Sequence, residues 1–256
     1  MLKKNIFGVI FLFLILSITV IFSETNYEQI NAIFNDAGYA PFHMKPDKSG
    51  GELKEGIVVD LLNEFQKEYK NYKITIIGLP KKREQISLDY NKADLSYNSP
   101  LFTGDRAKNF IWSEPFVKSK DCVVMLKDNQ FKFEKPEDLF GKKVGKIRGF
   151  GYGEFDNLFE EKKIIGYDVT DSIQLIAMLK KHRIDCFFGN TYVTPYEIKL
   201  NNEDMKDFYF SDKSLYEFEL MFQINKNKTK LKEDLDKFII KAKENGLLKK
   251  IEAKYK

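Results

Sequence analysis

Short β-like runs alternate with amphipathic helical ones from about residue 24 to the C-terminus, a pattern that constrains the chain to an α/β body with largely parallel sheets. The first strand is expected at Ile30 to Phe34. From Gly56 to Tyr69, Val59, Leu62 and Phe65 fall on one helical face with Val58 and Leu61 beside them, and Tyr72 to Leu79 reads as the next strand, completing a β-α-β unit. A helix at Glu84 to Tyr90, a strand at Ala93 to Tyr97 and a short helix at Gly104 to Asn109 follow, closed by Ile-Trp-Ser-Glu-Pro-Phe.

The alternation restarts beyond Phe116. Strands are expected at Asp121 to Leu126, Lys143 to Ile147, Ile165 to Val169 and Ile184 to Phe188, with a helix from Ser172 to Lys181 and a glycine-rich loop, Arg-Gly-Phe-Gly-Tyr-Gly-Glu-Phe, opening another. A late strand at Tyr216 to Ile224 precedes a helical region from Leu231 to Tyr255 that Gly246 divides in two. No fixed-period repeat occurs, and no linker rich in Pro, Gly or Ser separates the halves, so two lobes joined by extended strands fit better than independent domains.

The composition, 43% hydrophobic and 31% charged, is that of an ordinary globular chain. The net charge is +4, of which Lys3 and Lys4 contribute two, so a nucleic-acid partner is not expected. Those lysines precede an apolar run from Ile6 to Phe22, a positive n-region and an h-region. Residues 1–23 therefore read as a signal peptide or as an uncleaved N-terminal membrane anchor, and the body as exported to the periplasm. Cys122 and Cys186 are the only cysteines; a disulfide between neighbouring strands and two buried thiols are both open. With only His43 and His182, no metal-binding spacing is present and no cofactor is expected.

Four segments stand out in order: Gly-Tyr-Ala-Pro-Phe-His-Met at 38–44 with the stretch 50–65; residues 92–116, carrying a Thr-x-x-Arg turn and a Trp-Ser-Glu-Pro-Phe hinge; residues 138–150; and residues 172–190 with the closing stretch 216–255. In order and separation they resemble the family 3 extracellular solute-binding proteins, the amino-acid-type receptors of ABC importers. The resemblance implies a two-lobed periplasmic-binding-protein-like clamp of type II. Residues 25–117 with about 215–256 would form lobe 1, residues 118–214 lobe 2, and hinge strands would join them. It also implies a monomer that captures a small-molecule solute, polar and carboxylate-bearing, and delivers it to a membrane permease.

The resemblance assigns site residues one by one. Arg106 matches the family's carboxylate-binding arginine, with Thr103 capping the short helix that projects it toward the strand ends. Removing that bond should weaken solute binding by roughly ten- to a hundredfold. Without the flanking motif, a surface arginine would be the default. Tyr39 and Phe42 fall where aromatic contacts are placed, although core packing competes for Phe42. Ser99 matches a pocket position. Arg83 could enter the cleft as a second cation, and with Arg106 and Arg148 would suit an acidic solute. Phe150 and Gly151 replace a hydroxyl-bearing pair, leaving the backbone N–H groups of Gly151 and Tyr152 to meet an anion at a helix start. Asn190 stands where an acid accepts the ammonium of α-amino acids, so either the ligand lacks that group or another acid, such as Glu114 or Asp94, serves.

Two other functions use the same scaffold. A dehydratase acting on cyclic acids would need an acid or base, for which His43, Glu114 and Asp185 are available. A sensor module would dock its closed form on a membrane receptor.

Overall fold

A computed structural model describes residues 27–148, 151–170 and 172–255. The expected N-terminal address, residues 1–23, and Phe150 lie outside the described residues. Strands β1 (Glu28–Asn35), β2 (Tyr72–Leu79) and β3 (Leu95–Asn98) are parallel neighbours, linked by α1 (Ile57–Glu68) and α2 (Lys81–Asp89). After Asn98 the chain turns through α3 (Pro100–Thr103) and a 3-10 segment, Gly104–Asn109, into the short β4 (Phe110–Trp112). It then crosses into β5 (Val117–Leu126). The second half follows: β6 (Lys143–Ile147), α4 (Glu154–Glu160), β7 (Ile165–Val169), α5 (Ser172–Lys180), β8 (Cys186–Asn190) and α6 (Val193–Leu200).

The 18-residue β9 (Phe208–Asn225) unites the two halves: it pairs antiparallel with β5 along residues 208–220 and with β3 and β4 along residues 221–225. Strand order is β2-β1-β3-β9-β5-β8-β6-β7, with β4 on β9. Helices α7 (Thr229–Glu244) and α8 (Leu247–Ala253) return to the first half, where Leu235, Phe238 and Ile239 are buried. One large core gathers Ile30, Leu62, Phe65, Phe222 and Phe238, while two others flank the second half-sheet, one built on Phe155 and Val144 and the other on Leu175 and Phe187.

Sequence patterning explains most of these elements. Helix α1 buries Ile57, Val58, Leu61, Leu62 and Phe65 on one face, as the 3.6-residue period demands. Its N-terminus is set by Gly56, at φ 128°, where an added Cβ would lie 2.4 Å from the Phe42 carbonyl oxygen. Cys122 and Cys186 are free and buried. Their strands are neighbours, but Cys122 faces Gly189 across the ladder and Val124 faces Phe187. Three register steps of about 3.4 Å each, with opposite side-chain parity, put a disulfide out of reach.

Candidate functional site

Residues that follow the carboxyl end of β1 in one half meet residues that follow the carboxyl end of β8 in the other. From the first half come Tyr39 and Phe42. Their rings stack at 5.4 Å, and Phe42 lies 5.5 Å from the ring of Tyr192, which follows β8. The Tyr196 hydroxyl reaches Met44 Sδ at 3.7 Å, and the Tyr192 hydroxyl reaches Glu252 at 3.5 Å, so contacts between the halves are aromatic and polar. Phe42 is fully buried and its role is packing, while Tyr39 is partly buried and carries the hydroxyl. Burial and the charges of Asp121 and Glu197 hold the Tyr39 hydroxyl well above the usual tyrosine range.

His43 supports this wall. Its Nε2 faces the Asn35 carbonyl oxygen at 2.7 Å, which can only accept, so Nε2 carries the proton and Nδ1 accepts from the Tyr97 hydroxyl at 2.5 Å. Burial and the Lys81 charge, outweighing that carbonyl, lower its pKa to about 4. Both nitrogens are engaged in holding the loop.

Because the folded pKa lies below the unfolded value of about 6.5, the contribution is complete above pH 6.5 and lost as pH falls toward 4. The loss over that window should be ~3 kcal/mol. Urea unfolding at pH 7 and pH 4 measures it, and His43→Gln should flatten the difference between the two; an unchanged difference would place the acid sensitivity elsewhere.

On the facing half, β5 and β8 are antiparallel with Asp121 opposite Asn190. Asn190 Nδ2 donates to Asp121 Oδ1 at 2.8 Å and to Ser119 Oγ at 2.9 Å, while its Oδ1 accepts from the backbone N–H groups of Tyr192 and Val193, capping α6. The Asp121 carboxyl is raised by burial, which the Asn190 bond only partly offsets. Two further hydroxyls feel its charge. Tyr152 and Tyr216 are each pushed up to about 12, chiefly by burial, with Asp121 among the contributing charges. Tyr216 donates to the Tyr152 carbonyl at 2.7 Å, a contact that the absence of a side chain at Gly153 permits, since a Cβ there would lie 2.6 Å from the hydroxyl.

Several expected site residues are placed elsewhere. Arg106 Nη2 donates to Asp89 Oδ1 at 2.7 Å, and its guanidinium lies over the Phe110 ring. The pair lines a depression of about 620 Å³ with Asn109, Asn225 and Lys226. Asn225 bonds the Ala93 carbonyl at the start of β3, so Arg106 sits at the opposite end of that strand from Ser99. The 3-10 segment carries the chain back along the strand, and the guanidinium turns to the carboxylate at the end of α2. Thr103 does not cap: its hydroxyl donates to the Ser99 carbonyl, and Ser99 Oγ caps α3 instead, accepting from Leu101 N at 3.4 Å. Arg83 and Arg148 are exposed, and the three arginines do not converge on one pocket. At the glycine-rich loop the Asp156 carboxylate takes the Tyr152 N–H at 2.9 Å, occupying the anion position, and Gly151 is exposed.

Asp94 bonds Asn31 N and pairs with Lys228, and Glu114 is exposed. Asp185 takes the Lys143 N–H at 2.7 Å, a structural role. Asp121, Tyr192 and Tyr216 were not singled out from sequence, and Tyr152 only for its backbone N–H. The one available signal was an aspartate opening the apolar run Cys-Val-Val-Met-Leu. Among the described residues, no cluster of three or more His, Cys, Asp or Glu is arranged to hold a metal, and no helix is long and apolar enough to cross a membrane.

Two half-sheets sharing one long strand, with aromatic and polar groups facing each other across their carboxyl ends, define a two-lobed binding clamp. The chain belongs to the bacterial extracellular solute-binding proteins, family 3, whose model matches residues 32–256. It is 25% identical over 215 residues to the L-cystine-binding protein TcyJ of Bacillus subtilis, covering 80% of this chain and 76% of that one. Among solved structures, the probable amino-acid ABC transporter extracellular-binding protein ytmK of Bacillus subtilis superposes with a TM-score of 0.69 at 20% identity, covering 90% of this chain and 97% of the other. The arginine-bound AbpA of Streptococcus pneumoniae superposes with a TM-score of 0.65 at 22% identity, covering 89% and 94%.

Proposed function

We propose that this protein is the receptor of an ABC importer, capturing a small polar solute of amino-acid type between its lobes and presenting the closed form to a membrane permease. The observation that carries this reading is the convergence of Tyr39 from one lobe with Tyr192, Asn190 and Asp121 from the other. A solute bound there touches both lobes only when they are closed, which gives the differential affinity that closure requires. The L-cystine-binding relatives of Bacillus subtilis, and a Streptococcus mutans structure of glutathione import via the cystine ABC importer TcyBC, point to amino acids and small peptides as the first solutes to try. Export to the periplasm, in free or anchored form, fits a receptor of this kind.

A thermal-shift screen over amino acids, cystine and glutathione tests the reading, since a solute at a hundred times its dissociation constant adds ~2.7 kcal/mol. Absence of a shift with every solute would contradict it. Arg106→Ala should leave the affinity for the solute found within about twofold, and should cost at most ~0.5 kcal/mol of stability through the half-exposed Asp89 pair. A tenfold or larger loss of affinity on calorimetry would instead show that the guanidinium leaves Asp89 for the solute.

A further inference from the structure

We infer that Asp121, on the strand beside the one that ends in Asn190, supplies the counter-charge for a protonated amine of the solute. The inference rests on the receptor reading above and narrows its solute class. Asn190 has no capacity left for a ligand ammonium: both amide hydrogens are donated, to Ser119 and Asp121, and its oxygen caps α6. Asp121, by contrast, accepts a single hydrogen bond, from Asn190, and makes no ion pair with a lysine or arginine among the described residues. A partly buried carboxylate without a cation is unfavourable, and an entering ammonium removes that cost.

Of the other acids near the cleft, Glu84 pairs with Lys81 at 3.1 Å and accepts from Ser96 at 2.8 Å, Glu197 accepts from Ser172, Asp156 takes the Tyr152 N–H, and Glu154 is exposed to solvent. The surroundings also suit an amine. Tyr39, Tyr152 and Tyr216, from three separate segments, all lie within the field of Asp121; Tyr152 is packed among Phe159 and Phe188, while Tyr39 and Tyr216 are only partly buried and are the rings a cation could approach. Moving the charge from β8 to β5 displaces the amine by about one strand spacing, ~4.8 Å. The solute that fits therefore differs in shape from one anchored by an acid at position 190.

The test is calorimetry on wild type, Asp121→Asn and Asp121→Ser. The probes are the best binder among the twenty amino acids, cystine and glutathione, and the des-amino counterpart of that binder. The unliganded melting temperature of each variant reports whether it is folded, and the smaller serine guards against misfolding of the amide variant. Wild type should bind the amine at least tenfold more tightly than its des-amino counterpart. In either folded variant, affinity for the amine should fall ten- to a hundredfold and the distinction should vanish. Equal binding of the two probes to wild type, or amine affinity kept within twofold in a folded variant, overturns the inference and leaves the receptor reading standing. No binding by any probe overturns both.

Discussion

Replacing Gly56 by alanine should destabilise the protein by about 3–5 kcal/mol, through the combined cost of strain and overpacking. At φ 128° and ψ 160° the backbone occupies a region that side chains with a Cβ rarely adopt. The added methyl would lie 2.4 Å from the Phe42 carbonyl oxygen and 2.5 Å from His43 Cα, both backbone atoms. Neither can retreat easily. The Phe42 carbonyl accepts from Val58 N at 2.9 Å, Pro41 O accepts from Ile57 N at 2.9 Å, and Gly56 N itself donates to the Tyr255 hydroxyl at 2.9 Å. Relief must come from the segment that carries Tyr39 and Phe42, so the substitution should also weaken solute binding. Denaturant unfolding followed by circular dichroism measures the first effect, and a loss below 1 kcal/mol would show that the loop is not pinned as described.

The second large effect is expected for Phe222→Ala, at about 3–5 kcal/mol. Phe222 lies on β9 where that strand passes from one lobe to the other, is fully buried, and packs on Phe116 of the hinge at 4.9 Å. Its backbone is locked to the same crossing: its N–H donates to Ser113 Oγ at 2.9 Å and its carbonyl accepts from Ser113 N at 3.1 Å. Truncation leaves a cavity beneath the hinge while keeping the backbone bonds. The unfolding midpoint should therefore fall without a change in the denaturant slope. A change in slope as large as that in midpoint would indicate that the two lobes had uncoupled.

Periodicity in the sequence was enough to place the strands at 72–79, 143–147 and 165–169 at their observed limits, because each is a short stretch with β-branched residues lying between helical patterns. It was not enough for the first half of β9. Residues 208–215 include Ser211, Asp212, Lys213 and Ser214, which interrupt the alternation, and the strand forms because β5 supplies partners despite register shifts around Asp121 and Cys122. Helix α6 was missed for a comparable reason. Pro195 falls in its first turn, where a missing N–H costs little, and the cap comes from Asn190, the residue expected to meet a ligand.

At the site, two of the residues to which the motifs point, Tyr39 and Asn190, lie near the junction of the lobes. Arg106 has the spacing that the resemblance requires. Spacing along the chain does not determine which way a long side chain turns, and here Asp89, seventeen residues earlier, holds the guanidinium at the other end of β3. Asp121 was illegible for the converse reason. Its importance comes from standing across the ladder from Asn190, sixty-nine residues away, and pairing of that kind exists only in the fold.

A crystal structure of the protein soaked with the tightest-binding amine in the solute screen tests the inter-lobe site most directly. The expected density lies between the lobes, with the amine within hydrogen-bonding distance of Asp121 and the solute body against Tyr39. Density in the depression beside Arg106 and Asp89, with the space between Tyr39 and Asp121 unfilled, would contradict the proposed site.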